Sequence, residues 1–189
     1  MNLIVAVDLN WGIGHEGRLL VSLREDMKRI KEMTLGQVVV LGRKTLETFP
    51  GGKPLPGRTN IILTRQRDFA ADEALVCHSL DELKALLAGF PDESIYLLGG
   101  SSLYEQLLPC CDKAYVTRIY NQFTADAFFP NLDQTPGWRL VYRGTDQTGY
   151  SRIGDTSKLL TFAFCLYQQD YLALPALSAD LLCEVPHHD

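Results

Sequence analysis

The sequence has no run approaching the roughly 18 consecutive apolar residues that a membrane-spanning helix needs, so no membrane partner reached through helices is expected. It also lacks a positive surplus: 18 lysines and arginines face 23 acidic residues, for a formal net charge of −5. Nucleic-acid binding rests on a basic face that neutralises phosphates, so no nucleic-acid partner is expected either. A local basic pocket for a small anion stays open. The five cysteines, Cys77, Cys110, Cys111, Cys165 and Cys183, are odd in number and show no CxxC spacing. That argues against a zinc site and against a disulfide framework. They read as buried or half-buried thiols, and no metal is expected. Repeats and low-complexity linkers are absent as well. The opening Met1-Asn2-Leu3-Ile4-Val5-Ala6-Val7-Asp8 has no basic n-region and meets an acid too early for a signal peptide. The expectation is a cytoplasmic protein that begins on a strand.

What is present fits one α/β domain with a full core. Short apolar runs rich in β-branched residues recur at 3–7, 38–41, 60–63, 95–98, 114–119 and 159–167. Most lack the alternation of a sheet with one wet face, which suits strands covered on both sides. Helical patterns at 22–33, 80–88 and 101–108 lie between them, so the sheet is predicted to be mostly parallel. In the last third, runs near 138–143 and 159–167 have no helix between them, and antiparallel strands are expected to close one edge. About four helices should flank this sheet. The domain is placed at 1–168 and a C-terminal extension at 169–189.

Four local patterns carry chemistry. Gly12-Ile13-Gly14-His15-Glu16-Gly17 matches GxGxxG, but the helix signal starts only at Ser22, so no helix N-terminus can meet a pyrophosphate there. These glycines read instead as a loop over a cleft. Ser22-Leu23-Arg24-Glu25 has the form of a capping box. Along the helix, Leu23, Met27, Ile30 and Met33 mark an apolar stripe, with Arg24, Lys28, Arg29, Lys31 and Glu32 mostly off it. Asp26 lies on that stripe. Either it complements the helix dipole, or it is an inward acid with a partner and a task. Third, Val40-Leu41-Gly42-Arg43-Lys44-Thr45 and Leu98-Gly99-Gly100-Ser101-Ser102-Leu103-Tyr104 each run from strand through glycine into helix, as two phosphate-binding turns would. Fourth, Pro54-Leu55-Pro56-Gly57-Arg58 is a stiff turn that holds a guanidinium suited to a carboxylate; a plain surface arginine is the other reading.

Taken together, Leu3 to Val7, Trp11-Gly12-Ile13-Gly14, Asp26, the turn at Gly42, Pro54 to Asn60, Leu98-Gly99-Gly100, Tyr104, Thr117 and Asp126-Ala127-Phe128-Phe129-Pro130 resemble the bacterial dihydrofolate reductases, from residue 1 to about 168. The resemblance implies NADPH-dependent reduction of 7,8-dihydrofolate to 5,6,7,8-tetrahydrofolate, a reaction inhibited by antifolates. It implies that Asp26 binds the pterin N3 and 2-amino group and assists protonation of N5 while C6 receives the hydride. It places Ile4, Val5, Met27, Ile30, Phe49, Arg58, Leu98 and Thr117 at the substrate, with Arg58 on the glutamate carboxylate. It places Ala6, Ile13, Gly14, Gly42, Arg43, Lys44, Thr45, Thr64, Arg65, Gly99, Gly100, Ser101, Ser102, Leu103 and Tyr104 at the cofactor. It also implies a cis Gly99–Gly100 bond, and a lid spanning residues 9–21.

Some positions depart from the pattern. Leu20 and Val21 stand where many relatives have Pro-Trp, Arg24 replaces a proline, Ile30 a phenylalanine, and Ser102 an arginine. Two other readings share the fold: a pyrimidine reductase of the riboflavin pathway, and a pterin-binding relative without turnover. A monomer is expected, because no apolar helix face is left over once the sheet is covered.

Overall fold

The computed structural model describes residues 1–153 and 156–170. A nine-stranded sheet organises the chain. Its parallel part comprises β1 (Asn2–Val7), β4 (Val38–Gly42), β5 (Thr59–Leu63), β6 (Ala74–Cys77), β7 (Ile95–Gly99) and β8 (Lys113–Ile119). Three antiparallel strands follow: β10 (Trp138–Arg143), β11 (Gln147–Ile153) and the 14-residue β12 (Thr156–Gln169). The order is β10-β12-β8-β1-β7-β4-β5-β6, with β11 paired to the first half of β12. Mostly parallel pairing with an antiparallel C-terminal edge is the expected architecture. Strands β6 and β11 were not among the predicted runs.

The apolar runs are continuous because both faces of the sheet are covered. Side chains alternate along a strand, so Val38 and Val40 enter one core with Leu3, Val5 and Val7, while Val39 and Leu41 enter another with Leu46 and Ile62. The first core is closed by α3 (Leu80–Leu87) and α4 (Ser101–Leu107), the second by α2 (Arg43–Leu46). Gln169 is buried and pairs with Trp138, so ordered strand runs into the segment assigned to the extension. From residue 171 that segment lies outside the described residues.

Helix α1 (Arg24–Thr34) begins differently from the expectation. Leu23, not Ser22, is its N-cap, and no side chain caps it. Leu23 is drawn into the core, and the entry is pinned from β11: Ser22 N–H donates to Ser151 Oγ at 2.8 Å, and Leu23 bridges Ser151. A side-chain cap occurs instead at α3, where Glu82 N–H donates to Ser79 Oγ of the N-cap, and the Glu82 carboxylate accepts from His78 N–H one residue before it. The apolar stripe of α1 is also revised. Met27 is 41% exposed, whereas Arg29 is half-buried, with its guanidinium 4.3 Å from the Phe164 ring centroid. Cys77, Cys111 and Cys165 are buried thiols, but Cys110 is disulfide-bonded, contrary to the expectation of thiols throughout.

Candidate active site

The cleft opens at the C-terminal ends of the parallel strands, where α/β sheets place their ligands. The turns after β4 and β7 form its floor. An added Cβ on Gly100 would lie 3.2 Å from Thr45 Oγ1, and one on Gly42 would lie 3.8 Å from Gly100 N and Gly99 O. The two turns therefore pack closely, and a side chain on Gly100 would crowd the Thr45 hydroxyl. The Gly99–Gly100 bond is cis, as expected. Helix α4 starts at Gly100 without a side-chain cap, so its first-turn N–H groups face the same space.

This cleft, of ≈ 830 Å³, gathers most of the residues expected at a cofactor. Gly42, Arg43, Lys44 and Thr45 line it from one turn, Gly100, Ser101, Ser102 and Leu103 from the other. Thr64 and Arg65 line it beyond β5, and Ile13 and Gly14 from the lid. Arginines and a lysine around a glycine floor suit a ligand with several phosphates. Three expected residues, Ala6, Gly99 and Tyr104, are not part of this lining. Gly99 has φ +104°, and a Cβ there would come within 2.8 Å of the Tyr104 ring. Tyr104 O–H donates to the Ile4 carbonyl at 2.6 Å, tying α4 to β1. Ala6 pairs with Thr117 across β1 and β8. The sequence reading missed Arg18, Gln66, His78 and Gln106, which also line the cleft. Only the fold brings them there.

The literal GxGxxG carries no helix. Gly12–His15 is strand β2, Gly17 turns with φ +74°, and Arg18–Leu19 is β3. These strands pair with β9 (Ala127–Phe128) as a small sheet over the cleft. The lid is latched: Glu16 N–H donates to Asp126 Oδ2 at 2.8 Å, and Asp126 N–H donates to the Gly14 carbonyl. Its base is knotted by buried Asp8, whose carboxylate accepts from the N–H groups of Asn10, Gly12 and Phe123. Leu20 and Val21, the pair found in place of Pro-Trp, pack with Leu23, Ile119, Leu160 and Phe162. They anchor the C-terminal end of the lid segment in an apolar cluster.

Asp26 faces inward at 3% exposure and accepts a 2.6 Å hydrogen bond on Oδ1 from Thr117 Oγ1 of β8. Burial pushes its pKa above the ordinary carboxylate range, while the Thr117 bond and the charge of Arg29 pull it back. Met27, Ile30 and Asp26 share α1, while Phe49 and Leu98 pack beside Val39, Leu41 and Ile62. Val5 is buried in β1. Arg58 sits at the far end of α1. Its Nη2 donates to the Lys31 carbonyl, its Nε to Thr34 Oγ1 and its Nη1 to the Pro56 carbonyl. Five N–H groups less these three leave one on each Nη for a carboxylate. Lys31 and Thr34 lie five and eight residues beyond Asp26, so about 8–12 Å of helix axis separates the acid from the guanidinium. A heterocycle at one end and a carboxylate at the other would fit that spacing.

This arrangement places the chain among α/β enzymes that bind an anionic dinucleotide beside a small substrate. The dihydrofolate reductase family pattern matches residues 1–167. The dihydrofolate reductase of Bacillus subtilis is 35% identical over 141 residues, covering 75% of this chain and 81% of that one. That of Staphylococcus haemolyticus is 35% identical over 143 residues, covering 75% and 82%. Among solved structures, a dihydrofolate reductase from Enterococcus faecalis complexed with NADP(H) and RAB-propyl aligns with a TM-score of 0.72 at 35% identity. The alignment covers 89% of this chain and 95% of that one. The chain belongs to the dihydrofolate reductase family.

Proposed function

We propose that the chain reduces 7,8-dihydrofolate to 5,6,7,8-tetrahydrofolate with NADPH, and that Asp26 handles the pterin. The observation that carries the reading is a buried carboxyl, bonded to Thr117 at 2.6 Å, on a helix whose far end presents Arg58. NADPH, when bound, supplies the hydride for C6 of the pterin. The remaining work falls to this chain's own groups. Asp26 holds the pterin N3 and 2-amino group and, with its proton affinity raised by burial, assists protonation of N5. Thr117 fixes the carboxylate so that it stays aimed at the ring. Met27, Ile30 and Phe49 line the space between pterin and tail, with Ile4, Val5 and Leu98 bordering the ring. Arg58 takes the glutamate carboxylate with its two remaining N–H groups.

On the cofactor side, Arg43, Lys44 and Thr45 offset phosphate charge, and Arg65 with Thr64 favours a 2′-phosphorylated dinucleotide. Ser101, Ser102 and Leu103 present backbone at the second turn. The lid excludes water from the reacting atoms. We place the protein in the cytoplasm as a monomer that also takes antifolates in the Asp26 pocket. Sedimentation at micromolar concentration checks the monomer, and a dimer there would overturn it.

The deciding experiment follows loss of NADPH absorbance with dihydrofolate as acceptor. Turnover with dihydrofolate is expected. If NADPH binds and dihydrofolate stays unreduced, the folate assignment fails, and a ribosylamino-pyrimidine phosphate becomes the substrate to try.

A further inference from the structure

Arg29 follows Asp26 by three residues on α1, so the two side chains share a helix face. Its guanidinium is packed against rings. It lies 4.3 Å from the centroid of Phe164 on β12 and 5.7 Å from that of Tyr115 on β8. Its Nη1 is buried with no hydrogen-bond partner among the described residues. Glu25, four residues earlier, would be the obvious counter-ion. Its Oε2 is turned against β11 instead, where a Cβ on Gly149 would come within 2.6 Å of it, and it too is buried without a hydrogen-bond partner among the described residues. A half-buried cation that no salt bridge neutralises among the described residues exerts its field on the acid that shares its helix face.

The groups that face this pair are few. From α1 come Asp26, Arg29 and Glu25; from β8, Thr117 and Tyr115; from β12, Phe164, with the Cys165 thiol acting from the other side of the sheet; from β10, Tyr142; and from α4, Tyr104 toward Asp26. Arg29 is the only cation among them, and Glu25 is turned away.

We infer that Arg29 is a positioning residue for Asp26: held on aromatic faces instead of by a carboxylate, it supplies the fixed positive field that lets this buried acid ionise. Burial opposes the carboxylate; the Thr117 hydroxyl offsets part of that opposition and Arg29 a further part. Arginine stays charged throughout the working range, so the field is constant while Asp26 titrates. Its functional meaning rests on the reading of Asp26 given above, but the field itself can be measured without substrate.

The test is a 13C NMR titration of the Asp26 carboxyl carbon in the ligand-free protein, for wild type, Arg29→Met, Arg29→Gln and Arg29→Lys. Removing the positive charge lets the protonated form persist to higher pH. The midpoint is therefore expected to rise by about one pH unit in the methionine and glutamine variants. It should stay within about 0.3 unit of wild type in the lysine variant, which keeps the charge but not the planar stack. The limb of the turnover profile that reports Asp26 should move upward with it. An unchanged midpoint without the charge, or a lysine midpoint that moves as far as methionine's, overturns the inference. Thermal melting identifies any variant that does not fold, and glutamine, which keeps a polar end, carries the test if methionine fails. A shifted midpoint in a protein that leaves dihydrofolate untouched would refute the substrate reading while upholding the electrostatic one.

Discussion

Replacing Asp26 by asparagine should stabilise the fold at neutral pH while it damages catalysis. The carboxyl is 3% exposed, and its folded-state pKa is raised above the ordinary 3.8, with burial the largest cause. In the unfolded chain Asp26 loses its proton near that ordinary value; in the folded protein it keeps the proton to higher pH. Through the interval the folded state binds more protons than the unfolded state, so stability falls as pH rises. One proton gives a slope of up to about 1.4 kcal/mol per pH unit. The stabilisation due to this group is fully present below pH 3.8 and is lost as pH passes the raised folded value. Asparagine has no such slope. The attraction of Arg29 and the Thr117 bond are already included, because the net displacement is upward despite both. Stability from urea denaturation between about pH 2.5 and 8 should depend on pH equally for the two proteins at the acid end, below the unfolded value. The asparagine variant should then gain an advantage that grows with pH and levels off. A difference independent of pH, or a less stable variant at pH 7, would refute the reasoning.

Three further outcomes are expected. Asp126→Ala removes the acceptor of the Glu16 N–H bond and should unlatch the lid. Turnover should fall severalfold and hydrogen exchange at Glu16 should speed up, while stability changes by less than about 0.5 kcal/mol because the bond is exposed. Gly99→Ala places a Cβ 2.8 Å from the Tyr104 ring at φ +104°. It should cost roughly 2–4 kcal/mol by chemical denaturation and weaken NADPH binding. Arg58→Gln should raise the KM for dihydrofolate at least about tenfold and leave kcat within a few-fold, since a charged bond at the far end of the substrate is lost. An equal fall in kcat would contradict that role.

The parts of this molecule that were legible in its sequence are those where local pattern and tertiary setting agree. Strand β4 shows as Val38-Val39-Val40-Leu41 because both faces are buried, and the glycines at 42, 99 and 100 show because backbone must approach backbone there. Asp26 was visible as an acid on an apolar face, and the same three-residue step would have placed Arg29 beside it. A cation was read as a solvent group because its aromatic partners, Phe164 and Tyr115, lie more than 80 residues away. The capping motif was assigned to Ser22 because the Ser-x-x-Glu spacing fits. Burial of Leu23 and the bridge to Ser151 override it, and neither is a local signal. Strand β11 went unread because Gln147-Thr148-Gly149-Tyr150-Ser151 is polar and half of its pattern faces water. The lid's three short strands depend on Ala127–Phe128, far along the chain, so no window around Gly12 could reveal them. His78 reaches the cleft because β6 ends beside it, and Gln106 because its side chain folds back one turn along α4 onto Ser102.

The most direct test of the account compares wild type with Asp26→Asn in NADPH-dependent reduction of dihydrofolate, as single-turnover rates across pH. The expected result is rapid reduction by the wild type and a loss of at least about a hundredfold in the variant near pH 7. That loss should ease toward low pH, where dihydrofolate arrives already protonated at N5. Equal rates in the two proteins at neutral pH, or a loss that does not change with pH, would contradict the assignment of Asp26 as the group that handles the pterin.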